Sequence, residues 1–119
     1  MRISINQNQP ILEVRTQKGI KLISIKKIQY VKAFRKGSII YLDNMESIET
    51  NYLLKSYLKY LPTPFFFRCH HSFLINCLFV DCFCSKEVIL KKNIRIPLSR
   101  TNRKTIKKVL IEIQLSPSV

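Results

Sequence analysis

The densest chemistry in the chain is Arg68-Cys69-His70-His71, set inside the apolar run Phe65 to Asn76, FFFRCHHSFLIN. Both histidines of the protein lie there. A strand that only fills a core has no use for an arginine and two imidazoles. Each buried polar group left without a partner costs about 1–3 kcal/mol. At least one face of this segment should therefore meet solvent or a partner. Its donors and acceptors suit a nucleic acid, with a second basic segment, Lys91 to Lys108, converging on the same ligand.

Cys69, Cys77, Cys82 and Cys84 lie close to the histidines in sequence, which raises the question of a metal site. Zinc sites usually present two cysteines with two to four residues between them on a tight knuckle. Cys82-Phe83-Cys84 instead reads as strand, with both sulfurs on one side about 7 Å apart. Free cysteine commonly packs as a small buried hydrophobe. Reduced core thiols are the expectation, ahead of a metal site or a redox-sensitive pair, and no metal or cofactor is assigned. The seven acidic residues are scattered, and neither histidine has a motif-placed nucleophile or carboxylate, so no catalytic residues are assigned and the chain is not read as an enzyme.

A chain of 119 residues can bury about two-thirds of its unfolded surface in one core. The sequence divides into an N-terminal extension, 1–10, a single domain, 11–115, and a flexible tail, 116–119. Hydrophobic residues make up 46%, too many for disorder, while the apolar runs are far shorter than the roughly 20 residues a membrane helix needs. The first ten residues lack the apolar core of a secretory signal, which points to the cytoplasm. The formal net charge is +14. Such an imbalance speaks of partners, and a polyanion is the first suspect ahead of a membrane surface.

The elements that must position these residues read mostly as strands. Ile11 to Arg15 and Ile20 to Ser24 alternate about a turn ending in Lys18-Gly19. Ile28 to Phe34, Ile39 to Leu42 and Ser47 to Thr50 follow, with Arg35-Lys36-Gly37-Ser38 as a small basic loop. From Asn51 the period becomes helical, with Leu54, Tyr57, Leu58 and Leu61 on one stripe, Thr50 or Asn51 as cap, and Pro62 and Pro64 as the stop. Phe66 to His70 reads as a strand whose alternation places Cys69 and His71 on one face, Arg68 and His70 on the other. Leu74 to Asn76 reads as a corner, and Leu78 to Phe83, Val88 to Leu90 and Ile94 to Leu98 as the last strands. Thr101 to Leu115 is an amphipathic helix capped by Ser99, with Ile106, Val109, Leu110 and Ile113 inward and Arg103, Lys104, Lys107 and Lys108 outward. The fold class is mainly β (α+β), small antiparallel sheets with two short helices.

Between Lys86 and Lys108 there are nine lysines and arginines against one acid, Glu87. An arginine in the first turn of a helix, as Arg100 should be, sits near the positive end of the macrodipole and calls for an outside anion.

The run Phe66-Phe67-Arg68-Cys69-His70-His71-Ser72-Phe73-Leu74-Ile75-Asn76, followed by Ile96-Pro97-Leu98-Ser99-Arg100, resembles the signature of LytTR-type DNA-binding domains of bacterial transcription regulators. The segment Ile25 to Leu42 is similar to the strand and hairpin that precede it in that family, so the likeness spans roughly residues 11–113. It implies an elongated, mostly β fold that enters DNA grooves with loops and strand ends. By motif position the contacts would fall on Arg35, Lys36 and Ser38, on His71, and on Arg100, with Arg103 and Lys104 beside it; His70 would be structural. Family members often carry lysine, arginine or asparagine at the position of His71. An imidazole there adds little fixed charge, and its contact should strengthen on acidification. The family's usual receiver domain does not fit in this chain, so control would come from expression level, dimerisation or a separate regulatory protein.

The function these residues imply is sequence-specific binding of double-stranded DNA, on direct-repeat promoter sites and as a homodimer if the family habit holds, with no membrane partner. Two alternatives stay open: an RNA-binding module, which would want exposed aromatics on a sheet face, and a DNA-binding fold acting mainly through protein contacts.

Overall fold

The structure is a computed structural model describing residues 1–6, 9–62 and 65–115; the expected tail, 116–119, and Pro64 lie outside them. The chain forms two compact units, Met1–Leu61 and Pro62–Val119. Both are built mostly of strands in small antiparallel sheets, the class expected from the sequence.

In the first unit, β1 (Arg2–Asn6), β2 (Gln9–Thr16) and β3 (Gly19–Ser24) form one antiparallel sheet. The segment set apart in sequence as an extension thus supplies a strand, with Arg2 opposite Glu13 and joined to it at 3.3 Å. Strands β4 (Ile28–Phe34), β5 (Gly37–Leu42) and β6 (Ser47–Thr50) form a second ladder. Period-2 alternation buries Leu12, Val14, Ile40 and Leu42. Tyr30 and Tyr41 stand opposite each other with rings stacked at 4.4 Å.

The helix expected from Asn51 shrinks to one turn, α1 (Leu54–Tyr57). Its foreseen cap is occupied elsewhere: the Thr50 hydroxyl accepts from the Tyr52 N–H at 3.2 Å and meets the Ser38 and Tyr57 hydroxyls at 2.9 and 2.8 Å. The cap position falls to Leu53, whose side chain offers no acceptor. Leu54, Tyr57 and Leu61 are buried as the stripe requires, while Leu58 is exposed.

In the second unit, β7 (Phe66–His70) and β8 (Phe73–Asn76) form a hairpin. Leu74 to Asn76, expected as a corner, is therefore strand; the corner comes next, a 3-10 turn over Cys77–Phe79 in which the Asn76 side chain accepts the Leu78 N–H at 3.0 Å. Strand β9 (Val80–Phe83), β10 (Glu87–Leu90) and β11 (Ile94–Pro97) make a sheet ordered β11-β10-β9. A 3-10 turn, Arg100–Asn102, leads into α2 (Arg103–Leu115). Ile106 is buried, Val109, Leu110 and Ile113 are half-buried, and Arg103, Lys104, Lys107 and Lys108 are exposed, as the amphipathic pattern foretold.

The cysteines divide. Cys69 and Cys77 are buried core thiols, whereas Cys82 and Cys84 are exposed on and just after β9, against the expectation for all four. No helix among the described residues is long and apolar enough to cross a membrane.

Candidate nucleic-acid interface

Strand β7 does not alternate simply. Phe67 pairs with Ile75 and His70 with Phe73, so Arg68 and Cys69 together oppose Leu74 in a β-bulge. The extra residue turns both Phe66 and Cys69 into the core. His71 then leaves the strand and sits exposed in the turn before β8, so the expected shared face of Cys69 and His71 does not exist. The turn is held from both sides: the Ser72 N–H donates to His70 Nδ1 at 3.1 Å, and Arg68 Nη2 donates to the His71 carbonyl at 2.8 Å. The two imidazoles lie with ring centres 4.2 Å apart. Desolvation, and secondly the neighbouring His71, lower the pKa of His70 below the usual imidazole value.

The chain after β11 folds back against this strand. The Ser99 N–H donates to the Cys69 carbonyl at 2.9 Å, and Asn102 Nδ2 donates to the Arg68 carbonyl at 3.2 Å and the Ser99 hydroxyl at 2.7 Å. The outcome is one depression lined by Arg68, His70, His71, Ser99, Thr101 and Asn102. Arg100 is exposed between Ser99 and Thr101. Ser99 caps no α-helix: it precedes the 3-10 turn, makes no side-chain cap bond, and α2 begins only at Arg103. The macrodipole argument made for Arg100 accordingly passes to Arg103 and Lys104, which open α2 with no acidic residue in its first turn. Arg68 was not among the assigned contacts, yet its Nε is buried and has no acceptor among the described residues. Its place two residues before His70, inside an apolar run, was the available clue.

In the first unit the basic loop is tighter than expected. Only Arg35 and Lys36 turn between Phe34 and Gly37, both exposed, with Arg35 at φ 54° and its guanidinium 4.9 Å from the Phe34 ring centre. Gly37 lies so close to β6 that a Cβ there would collide with the Thr50 carbonyl oxygen. Ser38 is fully buried. Its hydroxyl donates to the Tyr52 carbonyl at 2.6 Å and meets the Thr50 and Tyr57 hydroxyls at 2.9 and 2.8 Å. Ser38 is thus withdrawn from the contact set, because a hydroxyl with three protein partners inside the fold has nothing to offer a phosphate. A groove in this unit instead gathers Arg35 with Arg15, Lys18 and Lys21. Those three were read only as strand and turn, since alternation does not reveal which strand ends meet.

Among the described residues no three His, Cys, Asp or Glu side chains stand together as a metal site would require.

A family model described as the LytTr DNA-binding domain matches residues 18–111. No curated protein matches the sequence. Among solved structures, the chain is similar to a LytTr DNA-binding domain of a protein described as a methyl-accepting/DNA response regulator from Bacillus cereus. The TM-score is 0.71 and the identity 22%, over 84% of this chain and 95% of that one. At that identity the likeness speaks for the fold, while the family match covers well over half of the sequence. The chain belongs to the LytTr DNA-binding domain family, and its membership implies DNA binding in transcription regulation.

Proposed function

We propose that this protein reads duplex DNA sequence-specifically, with the turn carrying Arg100 as a base-reading element and the surrounding cations as phosphate contacts. The observation that carries the reading is the single depression in which His71 meets the Ser99–Asn102 turn. Arg100, Arg103 and Lys104 are exposed on and after that turn. Arginine's planar fork matches guanine O6 and N7 in a major groove, worth about 1–3 kcal/mol of discrimination. Arg35 and Lys36, at the tip of the β4–β5 hairpin, are assigned to phosphate or groove contact. Arg68 joins them as support, holding the His71 carbonyl.

The partner is double-stranded DNA in the cytoplasm, at direct-repeat promoter sites, with a second copy or a separate regulatory protein setting the input. No catalytic step is needed. The test is selection from random duplexes by gel shift, followed by Arg100→Ala on the selected and a scrambled duplex. A larger loss on the selected duplex supports base reading; equal loss on both refutes it. Competition by single-stranded RNA that outdoes duplex DNA would move the reading to an RNA module.

A further inference from the structure

Strand β9 ends the sheet ordered β11-β10-β9, and it is the least covered strand of the second unit, with Asp81, Cys82, Phe83 and Cys84 all exposed. A bare, partly apolar edge is a template for another strand unless something blunts it. The direction of its backbone groups follows from the ladder. The Cys84 N–H donates to the Glu87 carbonyl at 2.9 Å, Phe83 pairs with Val88, and Cys82 with Ile89. Bonded and non-bonded pairs alternate in an antiparallel ladder. Cys82 and Cys84 therefore spend their backbone groups on β10, and the Phe83 N–H and C=O point away from it.

An antiparallel partner on that edge must bond to Phe83. If the partner is a second copy, a two-fold register can centre on Phe83, and the pairing of Asp81 described below favours it. Phe83 then exchanges both bonds with Phe83 of the second copy, and Cys82 faces Cys84 of the second copy in a non-bonded pair, twice. Such pairs have Cα atoms about 4.5 Å apart, inside the range of roughly 4.4–6.8 Å that a disulfide spans. The same register sets Asp81 opposite Ser85 of the second copy and next to its Lys86, an attractive pairing along the strand. Within one chain the two thiols sit two residues apart on one side of a strand, about 7 Å from each other, too far to close without bending the backbone.

We infer that β9 is a docking edge for a second copy of this chain, and that Cys82 and Cys84 lock the pair covalently under peroxide through two Cys82–Cys84 disulfides between the chains. In each, one thiolate attacks peroxide, releases hydroxide and becomes a sulfenic acid. The facing thiolate then attacks that sulfur and expels the second hydroxide. Two thiols and one peroxide give one disulfide and two waters, and the doubly bridged pair consumes two peroxides. Cys69 and Cys77 take no part, being buried. The inference goes beyond the DNA-binding reading and does not depend on it.

The test treats the full chain with hydrogen peroxide and follows it by non-reducing electrophoresis, with peptide mass mapping. The wild type should form a dimer that dithiothreitol reverses, with Cys82 linked to Cys84. C82S alone and C84S alone should stay monomeric, because each lacks one half of every bridge, whereas an equal mixture of the two should cross-link. F83P, with all four thiols in place, removes an N–H that β10 does not use, along with the phenyl ring, and should stay monomeric as well. Cross-linking by either single serine variant alone or by F83P would overturn the proposal. So would a wild type that stays monomeric, or one that closes a Cys82–Cys84 disulfide within one chain.

Discussion

The side-chain amide of Asn102 lies 3.2 Å from the carbonyl oxygen of Arg68, across thirty-four residues of sequence, and the same nitrogen reaches the Ser99 hydroxyl at 2.7 Å. Asn102 is therefore a strut between β7 and the turn that displays Arg100. Asn102→Ala should destabilise the protein by about 1–3 kcal/mol, since both acceptors lose their donor. Urea denaturation measures the stability, and the folded variant should bind its selected duplex more weakly because the turn is no longer held in register.

Arg100→Ala should leave stability within about 0.5 kcal/mol of the parent, as exposed substitutions usually do. It should remove about 1–3 kcal/mol of preference for the selected duplex over a scrambled one. Gel shifts on both duplexes read the difference.

Salt should act strongly. If six to ten phosphates are contacted, affinity should fall about 10³–10⁵-fold between roughly 50 and 200 mM salt, and Lys36→Ala or Lys104→Ala should each lower the log–log slope by about one contact. A flat dependence in a titration followed by fluorescence anisotropy would contradict phosphate contact by these cations.

Ser38→Ala separates structure from contact. The buried hydroxyl belongs to a knot with Thr50 and Tyr57, so its loss should cost about 1–3 kcal/mol by thermal or urea unfolding. The folded fraction should bind DNA as the parent does.

Two thiols should be silent and two reactive. Burial pushes both Cys69 and Cys77 up to about 12, far from the thiolate form that alkylation needs, while Cys82 and Cys84 are exposed. Iodoacetamide should label two cysteines in the native protein and four in denaturant, counted by intact mass.

His70 should give stability a pH dependence. Its pKa in the fold lies below the ordinary 6.5, chiefly through desolvation, so the unfolded chain takes up the proton first. The contribution is complete above about 6.5 and is lost as pH falls through the lowered folded value. His70→Gln should flatten the melting temperature against pH across that window, and an unchanged slope would exclude His70 as its source.

Residue types and their spacing settled the strand-rich class, the positions of most strands, the amphipathic face of α2 and the family, because alternation, helical period and a motif are all local properties. The chain also marked His71 and Arg100 as candidate contacts, although it set the first on a strand face and the second in a helix, where the structure has turns. What stayed hidden depended on where atoms far apart in sequence come to rest. A bulge at Arg68 and Cys69 ended the alternation that had put His71 beside Cys69. Thr50 gave its hydroxyl to Ser38 and Tyr57, which shortened a helix and buried a serine read as a DNA contact. Cys82 and Cys84 lie exposed because β9 ends its sheet, and a strand's own residues do not say whether a neighbour will cover it. Local pattern fixes which way the backbone can run, whereas hydrogen-bond competition and packing between distant segments decide which side chains remain for a partner.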